Sequence, residues 1–445
     1  MKIKFYNSLS NCVEEFIPQV ENKVSMYVCG PTVYNYPHIG NMRPVVVFDT
    51  LRRFLTYVGY EVTYVSNFTD VDDKIIKGAI NEGKSEKELA EYYIEQFKNT
   101  TLAIGSQIPS LTPRVTEYID KIIDYIGKLI ELDAAYVVDG DVYFRVSKIK
   151  DYGALSGINI DDLIAGARVE ENSKKESTLD FALWKATDVG IKWPSPWGLG
   201  RPGWHTECCV MIDTIFPTHY IDIHGGGYDL KFPHHENEIA QAEAMHNNKI
   251  ARYWLHNGFI NFGNEKMSKS LGNVVLAKDM LAKYGGPVTR LVILSTHYRM
   301  PVNFTDETVL ASQTEINKIS MAYKQMALQL QVNDIDLSTA KPQYIASFLD
   351  ALGDDLNTAN ALMEMYNIIK EANQVLRARP IDFNKMNDLF KTLTDMFYIL
   401  GLDITYVTLN EEDKKIYQSY LAYKANKDFT KSDELRKILI NKNIL

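Results

Sequence analysis

The fold is decided by residues 24–66, which read VSMYVCGPTVYNYPHIGNMRPVVVFDTLRRFLTYVGYEVTYVS. The two ends of this stretch, VSMYVC and EVTYVS, alternate in the manner of β-strands. Between them, apolar residues recur at helical three- and four-residue steps, at Val45, Phe48, Leu51, Leu55 and Val58. Strand, helix and strand in this order predict a βαβ unit of a parallel, nucleotide-binding type of sheet.

Polar side chains follow the ends of both predicted strands. Ligands of parallel sheets lie beyond the carboxyl ends of the strands, and Cys29, His38 and the cluster 70–73 fall there. The helix N-terminus is built from His38, Ile39 and Gly40, and its free N–H groups and partial positive charge suit a phosphate. Taken alone, the tetrapeptide HIGN is a weak signal, because a plain turn with a surface histidine has the same sequence.

A second stretch, residues 203–238, concentrates side chains that bind metals: GWHTECC, YIDI, HGGGYDL and FPHHENE follow one another. Pro233 suits the first position of a helix, in which His234 and Glu238 would stand one turn apart on the same face. An imidazole and a carboxylate so arranged can hold one ion, and Cys208 can approach from the preceding turn. A polar helix face beside a buried cysteine pair is the alternative.

A third stretch, KMSKS at residues 266–270, places Lys266 and Lys269 on a predicted loop after two short extended runs. Lysines on a loop can neutralise the charge that develops on a transferring phosphate. Taken alone, a solvated lysine-serine loop is the better interpretation.

Composition limits the classes of protein that fit. The chain has 445 residues, which predicts two to four domains, and a net charge of -9, which argues against a generally basic surface but not against a local basic groove. Four scattered cysteines (Cys12, Cys29, Cys208 and Cys209) indicate metal binding or free thiols in a reducing compartment. The sequence shows neither a signal peptide nor a membrane span, so a cytoplasmic protein is expected.

Beyond these stretches, the sequence changes character twice. Residues 133–148 predict a hairpin about Gly140, and WPSPWGLGRPGW at 193–204 marks the return to the main fold after an insertion at 115–200. After Thr305 the pattern is helical, with Asn357 as a helix N-cap. The helix after Asn357 has one apolar stripe, at Leu362, Met365, Ile369, Ala372 and Leu376.

HIGN and KMSKS in one chain, in this order, resemble the two ATP-handling signatures of class I aminoacyl-tRNA synthetases. The surrounding segments narrow the resemblance to bacterial cysteinyl-tRNA synthetases over nearly the whole chain. These segments are CGPTVYNYPHIGNMRPVVVFDTLRR, NFTDVDDKI, DFALWK, GRPGWHTEC, DIHGGGYDL, FPHHENEIAQ and KMSKSLGN.

The resemblance implies an α/β fold: a class I Rossmann-like parallel-sheet catalytic domain with an inserted connective subdomain, followed by an all-α helical bundle. The expected segments are the first half of the catalytic domain (1–114), the connective insertion (115–200), the second half (201–275), a helical stem-contact region (276–320), a tRNA-binding helical bundle (321–408) and a small, truncated anticodon-binding end (409–445).

The resemblance also implies the site residues. One zinc ion per chain is expected on Cys29, Cys208, His234 and Glu238, where it would select the substrate thiol. For ATP, which would enter with Mg²⁺, the expected set is His38, Gly40, Asn41, the HGGG loop (Gly225, Gly226 and Gly227) and Lys269, with His38, Asn41, Lys266 and Lys269 as catalytic residues.

The resemblance also suggests roles for Trp204, Thr69 and Asp433, each on a less specific match. Trp204 resembles an aromatic wall beside the amino acid, with a core tryptophan as the alternative. Thr69 could contact the α-amino group or ribose, or could cap the next helix. Asp433 stands where the family reads anticodon bases. Three departures are Cys209 in place of serine, which opens a second candidate ligand, Lys424 in place of arginine, and a short C-terminal end.

The implied function is ATP-dependent activation of L-cysteine and its transfer to the terminal adenosine of tRNA(Cys), by a monomer with no membrane association. Two alternatives are a cysteine-activating ligase with a small amine acceptor and a non-catalytic, zinc-dependent RNA-binding module. Residues 306–445 argue against the first alternative, and intact HIGN and KMSKS motifs argue against the second.

Overall fold

The computed structural model describes residues 1–158, 174–262, 265–266 (backbone only) and 275–445. These residues form two compact units. The first contains Lys2–Lys283 and Tyr298–Asn303, and the second contains Met1, Tyr284–His297 and Phe304–Leu445.

A four-stranded parallel sheet forms the centre of the first unit. Its strands are β3 (Lys23–Val28), β4 (Glu61–Ser66), β10 (Ile221–Gly227) and β11 (Ala251–Asn257), in the spatial order β11-β10-β3-β4. Helix α1 (Ile39–Tyr57) joins β3 to its parallel neighbour β4, so the predicted βαβ unit is confirmed. The predicted apolar positions Phe48, Leu51 and Leu55 of α1 are fully buried. Since the sheet combines strands from both halves of the sequence, it brings together side chains roughly 200 positions apart.

The other elements of the first unit before residue 203 surround this sheet. They are β1 (Lys4–Asn7), β2 (Cys12–Glu15), α2 (Asp73–Glu82), α3 (Glu86–Ala103), α4 (Ile119–Glu131), β5 (Ala135–Val138), β6 (Asp141–Phe144), β7 (Phe181–Ala186), β8 (Trp193–Ser195) and β9 (Gly198–Pro202). Strands β5 to β9 form an antiparallel sheet in the order β5-β6-β7-β9-β8. The predicted hairpin about Gly140 is formed by β5 and β6, and the proline- and glycine-rich segment 193–204 includes a second hairpin, β8–β9.

Two expectations about the stretch 203–238 are wrong in detail. GWHTECC is not a turn: helix α5 (Trp204–Ile215) begins directly after Gly203. HGGG is not a loop either, because Gly225–Gly227 complete strand β10. A Cβ atom on Gly225 would lie 2.3 Å from the ring of Phe48 on α1, so this glycine permits close packing of helix on sheet.

The helix predicted from Pro233 begins slightly later. A tight, kinked turn, Lys231–His235, precedes α6 (Glu236–His246). In this turn Phe232 has an extended backbone (φ -139°, ψ 136°), and the peptide bond before Pro233 is cis. The first unit is completed by α7 (Ala277–Tyr284) and a small sheet of β12 (Ile260–Phe262), β13 (Glu265–Lys266) and β14 (Val302–Phe304).

The described part of the second unit is helical. Its helices are α8 (Gly286–Leu294), α9 (Asp306–Val332), α10 (Ala346–Gly353), α11 (Thr358–Arg377), α12 (Phe383–Leu400), α13 (Glu411–Ala425) and α14 (Phe429–Asn441). Asn357 caps α11 as predicted, since its side chain accepts a hydrogen bond from the backbone N–H of Asn360 at 3.0 Å. Four of the five stripe positions are buried, and Leu376 is half-buried.

Among the described residues, every helix is too short or too polar to cross a membrane.

Candidate active site

Four potential metal ligands converge at the carboxyl edge of the parallel sheet. The sulfur atoms of Cys29 and Cys208, an imidazole nitrogen of His234 and a carboxylate oxygen of Glu238 all lie within 4.8 Å of one another. Cys29 is half-buried and the other three are buried. Two thiols, an imidazole and a carboxylate form a donor set typical of zinc in proteins.

The distances within this group suit a tetrahedral ion. The Sγ atom of Cys29 lies 3.6 Å from the Sγ of Cys208 and 3.5 Å from Oε1 of Glu238, and the Sγ of Cys208 lies 3.7 Å from Nε2 of His234. Zinc bonds of about 2.3 Å to sulfur and about 2.1 Å to nitrogen and oxygen give tetrahedral edges of roughly 3.4–3.8 Å. The distance from Nε2 of His234 to Oε1 of Glu238 is shorter, at 2.9 Å, because the two form an ion pair. The residues present therefore fit a zinc ion.

Each ligand is held by a different element. Cys29 follows the last residue of β3, Cys208 lies in the second turn of α5, and Glu238 lies in the first turn of α6. His234 precedes α6 in the tight turn, yet it still pairs with Glu238 at the predicted four-residue spacing. The end of β3 and the helices α5 and α6 thus position Cys29, Cys208 and Glu238, and the tight turn before α6 positions His234.

Neighbouring side chains orient the candidate ligands. Nδ1 of His234 lies 3.1 Å from Nδ1 of His205, which leaves Nε2 to face the cluster. Oε2 of Glu238 pairs with Nε2 of His224 at 2.5 Å, which leaves Oε1 to face Cys29. Partners of this kind set the tautomer of an imidazole and the rotation of a carboxylate at metal sites.

The charges in the cluster favour a bound cation. Burial opposes the charged form of His234, but the charges and hydrogen bonds of Glu238 and Cys208 together outweigh it and the pKa rises to about 10. Burial also opposes ionisation of Glu238, yet His224 and His234 hold its pKa well below the ordinary range. A hydrogen bond from Cys29 lowers the pKa of Cys208 to about 6, whereas burial raises the pKa of Cys29. These contacts therefore favour the deprotonated forms of Glu238 and Cys208, and metal binding would displace protons from His234 and Cys29.

The neighbouring Cys209 lies outside this cluster. Its sulfur faces the backbone carbonyl oxygens of His205 and Glu238, at 3.6 and 3.7 Å. Burial raises the pKa of its thiol. Helical geometry turns consecutive side chains about 100° apart, so Cys208 and Cys209 cannot both face Cys29.

A row of histidines next to the cluster was not predicted from the sequence. His224 and His235, together with Cys29 and Glu238, form a second overlapping group within 4.8 Å. Nδ1 of His235 lies 2.8 Å from Nε2 of His256, whose Nδ1 lies 2.8 Å from the hydroxyl of Ser8. The row follows from the parallel pairing of β10 with β11, which brings His224 and His256 to the same sheet edge and which no local sequence pattern encodes.

A cavity of about 350 Å³ extends from Cys29 to the N-terminus of α1. Its lining includes Gly30, His38, Gly40, Asn41 and Gly227. Lining residues that were not predicted include Tyr64, Phe97, Asp229, Asn257 and Phe259. The volume falls in the range of small-molecule sites, and one end of the cavity meets the partial positive charge of a helix N-terminus.

The HIGN segment forms the start of α1. The backbone N–H of His38 donates to Oδ1 of Asn41 at 3.0 Å, and the N–H of Ile39 donates to the carbonyl of Val275 at 3.0 Å. A Cβ atom on Gly40 would lie 2.9 Å from Nδ1 of His38, so Gly40 lets the imidazole fold over the helix start.

Only some of the other residues that were predicted to contact the nucleotide belong to the part of the chain that the structure describes. Gly225 and Gly226 pack against Phe48 and His235 within the sheet, and Gly227 reaches the cavity. The backbone of Lys266 belongs to β13, paired with Asn261. Lys269 lies outside the described residues.

Thr69 and Trp204 both lie next to the cluster. The hydroxyl of buried Thr69 donates to Oε2 of Glu207 at 2.7 Å, and Asp72 is the N-cap of α2, so the expectation that Thr69 caps that helix is wrong. Trp204 is not a core tryptophan. Its ring is 42% exposed and stacks on the imidazole of His234, with 4.2 Å between the ring centroids.

Asp433 belongs to the second unit. It is exposed on α14, and Lys424, at the end of α13, lies 3.4 Å from the hydroxyl of Tyr420.

Comparison with known proteins gives the family. A family model described as "tRNA synthetases class I (C) catalytic domain" matches residues 15–314, and one described as "DALR domain" matches residues 347–405. Cysteine–tRNA ligases of Bacillus thuringiensis (strain Al Hakam) and Bacillus cereus (strain 03BB102) are each 46% identical over 454 residues, which cover 100% of this chain and 97% of each relative. The chain belongs to the cysteine–tRNA ligase family.

Solved structures share the fold of this cysteine–tRNA ligase family member. A methionyl-tRNA synthetase of Mycobacterium tuberculosis, in complex with methionyl-adenylate, superposes with a TM-score of 0.62 and 14% identity, covering 85% of this chain and 90% of that one. A leucyl enzyme of Agrobacterium radiobacter K84, titled as a LeuRS-tRNA-LeuAMS complex, gives a TM-score of 0.60 at 10% identity, covering 87% and 85%. The predicted class I α/β fold with a helical C-terminal part is confirmed.

Proposed function

We propose that this chain joins L-cysteine to tRNA(Cys) in two steps, of which the first consumes ATP. The carboxylate of cysteine attacks the α-phosphorus of ATP and releases pyrophosphate, which gives cysteinyl-adenylate. The hydroxyl of the 3′-terminal adenosine of the tRNA then attacks the cysteinyl carbonyl and releases AMP. The observation that carries this proposal is the Cys29, Cys208, His234 and Glu238 cluster at the end of a cavity that reaches the N-terminus of α1.

The cluster is proposed to hold one zinc ion that distinguishes cysteine from serine. When bound, zinc supplies a Lewis acid that bonds a thiolate far more strongly than a hydroxyl group. A pocket without such a group distinguishes isosteres poorly, by about 100-fold. Trp204 would flank the amino acid, because its exposed ring already covers His234. Thr69 would meet the α-amino group or ribose through its oxygen, since its proton is donated to Glu207.

The other end of the cavity is proposed to bind ATP, which enters with Mg²⁺. His38 and Asn41 would hold the phosphates at the start of α1, where the partial positive charge of the helix N-terminus favours anions. Lys266 and Lys269 would stabilise the charge that grows on the α-phosphate in the transition state. Gly40 and Gly227 would let the nucleotide approach the backbone, since both line the cavity. Asp433 would meet anticodon bases of the tRNA.

Two assays test this function in order. Cysteine-dependent exchange of pyrophosphate into ATP is expected, and its absence would exclude both the synthetase and a cysteine-activating ligase, leaving an RNA-binding module. Charging of purified tRNA with cysteine is expected next. Exchange without charging, with activity towards a small amine instead, would favour the ligase with a small acceptor.

The proposal also covers the cell compartment and the oligomeric state. All four cysteines are free thiols, which suits a cytoplasmic protein. A monomer is expected to carry both steps, and light scattering at increasing concentration would test it.

A further inference from the structure

A separate group of potential metal ligands, Asp213, His219 and His246, lies near the surface of the first unit. Asp213 belongs to the last turns of α5, His219 follows that helix, and His246 is the last residue of α6. One ligand atom from each residue lies within 4.8 Å of the other two. None of these residues belongs to the buried cluster, and the group does not depend on the proposed function.

The three side chains already point at one place. Oδ1 of Asp213 lies 2.5 Å from Nε2 of His246 and 2.9 Å from Nδ1 of His219. The two imidazole rings stack in parallel, 4.6 Å apart with an angle of 4° between them. His219 adopts a positive φ of 52°, a conformation uncommon for a residue with a side chain, and this turn brings its ring over His246.

From this arrangement we propose that Asp213, His219 and His246 bind a divalent ion of the zinc class, such as Zn²⁺ or Ni²⁺. Two imidazoles and one carboxylate are a donor set that these ions prefer, with water in the remaining position. The side chains of Asp213 and His246 are each 25% exposed and that of His219 is 44% exposed, so solvent can reach the ion. The ligand atoms of a tetrahedral ion lie about 3.4 Å apart. The distances of 2.5 and 2.9 Å from Asp213 to the two imidazoles must therefore increase by about 1 Å or less, which partly exposed side chains allow.

The site would join the ends of the two helices that carry the buried cluster. Helix α5 carries both Cys208 and Asp213, and α6 carries both Glu238 and His246. An ion at the surface group would bond the C-terminal end of α5 to that of α6. It is therefore a structural site, and it has no role in the transfer of cysteine.

Metal counting by equilibrium dialysis of the full chain against buffered Zn²⁺ tests the proposal. We expect two ions per chain in the wild type and one in Asp213→Asn and in His246→Gln. The matched control is His297→Gln, since His297 also faces a carboxylate, that of Asp355 at 3.5 Å, and this variant should keep two. An equal number of bound ions in the wild type and in both Asp213→Asn and His246→Gln would overturn the proposal.

Cobalt spectroscopy separates the two sites. In a Co²⁺ titration, the buried cluster should give a thiolate-to-metal charge-transfer band that Cys208→Ser loses. The surface group contains no sulfur, so it should add only d–d absorption, retained in Cys208→Ser and lost in Cys208→Ser/Asp213→Asn. If the d–d absorption is the same in these two variants, the assignment of Asp213 is wrong. A wild-type chain that shows the d–d absorption without any thiolate band would count against the buried site and leave the surface site standing.

Discussion

Cys208 and Cys209 are neighbours on α5, yet their sulfur atoms face different groups. Cys208 faces Cys29 and His234, whereas Cys209 faces two backbone carbonyls. The sequence left both residues open as ligands, because the adjacent thiols are chemically equal until the helix is oriented. The orientation depends on packing of α5 and α6, which no local pattern encodes.

In the first prediction, substitution of Cys209 is the control for substitution of Cys208. Cys208→Ser should lose the zinc of the buried cluster, because a serine hydroxyl is a poor ligand for this ion. Cys209→Ser should keep it. Zinc that is released from each denatured variant can be counted with a colorimetric chelator, and full retention by Cys208→Ser would overturn the ligand assignment.

A second prediction concerns Gly225, whose missing side chain makes room for Phe48. Gly225→Ala should destabilise the first unit by about 1–3 kcal/mol, the range for overpacking a core. Truncation of the ring in Gly225→Ala/Phe48→Leu should restore part of this loss, which a double-mutant comparison of denaturation midpoints would measure.

The matched control for that prediction is Gly127 in α4, where a Cβ atom would meet nothing within 4 Å. Gly127→Ala should stabilise the chain by up to about 1 kcal/mol, because alanine is the better helix former. If both substitutions changed stability equally, close packing on Phe48 would not be the reason for Gly225.

Among the helices and strands, the sequence predicted those that depend on interactions between residues close together in the chain. The βαβ unit at 24–66, the hairpin about Gly140 and the cap of α11 at Asn357 were all predicted, since each depends on patterning or capping within a few residues. The segment Gly225–Gly227 was expected to be a loop, although glycine inside a strand often marks close packing instead. Gly225 packs closely on α1, and only the structure shows it.

Helices α13 and α14 give a pH-dependent prediction. Asp413, the third residue of α13, accepts a hydrogen bond from the backbone N–H of the N-cap Asn410 at 3.3 Å. It also pairs with Lys442, which holds the pKa of this carboxyl below its ordinary range. The carboxylate therefore stabilises the helix pair above the unfolded pKa, and this contribution disappears as the pH falls through the folded pKa. Asp413→Asn should thus be less stable than the wild type at pH 7, and the difference should close below about pH 4.

Hydrogen exchange of backbone amides in α13 and α14 would measure that difference locally. Glu411→Gln is the control, because Glu411 is 80% exposed and pairs with Lys414 on the surface. Exposed pairs of this kind contribute little, about 0–1 kcal/mol. A difference between Asp413→Asn and the wild type that persists unchanged at low pH would show that the charge is not what matters.

At the scale of the whole molecule, the candidate site draws on distant parts of the chain. Cys29 comes from the first half of the parallel sheet, and Cys208, His234 and Glu238 come from elements around the second half. From the residues alone, His234 and Glu238 were predicted as a pair one helical turn apart, with Cys208 approaching from the preceding turn. The pair forms although His234 precedes α6. The complete set depended on resemblance to a family. The histidine row was missed because it follows from strand pairing.

The central claim is that a zinc ion on these four residues distinguishes cysteine from serine during activation. The most direct measurement is the ratio of kcat/KM for the two amino acids in pyrophosphate exchange, with the zinc-loaded chain, after zinc removal and after zinc is restored. With zinc, cysteine should be preferred by far more than the about 100-fold that a metal-free pocket achieves. Removal should abolish the exchange or the preference, and zinc should restore it. An equal rate and an equal preference with and without zinc would contradict the account.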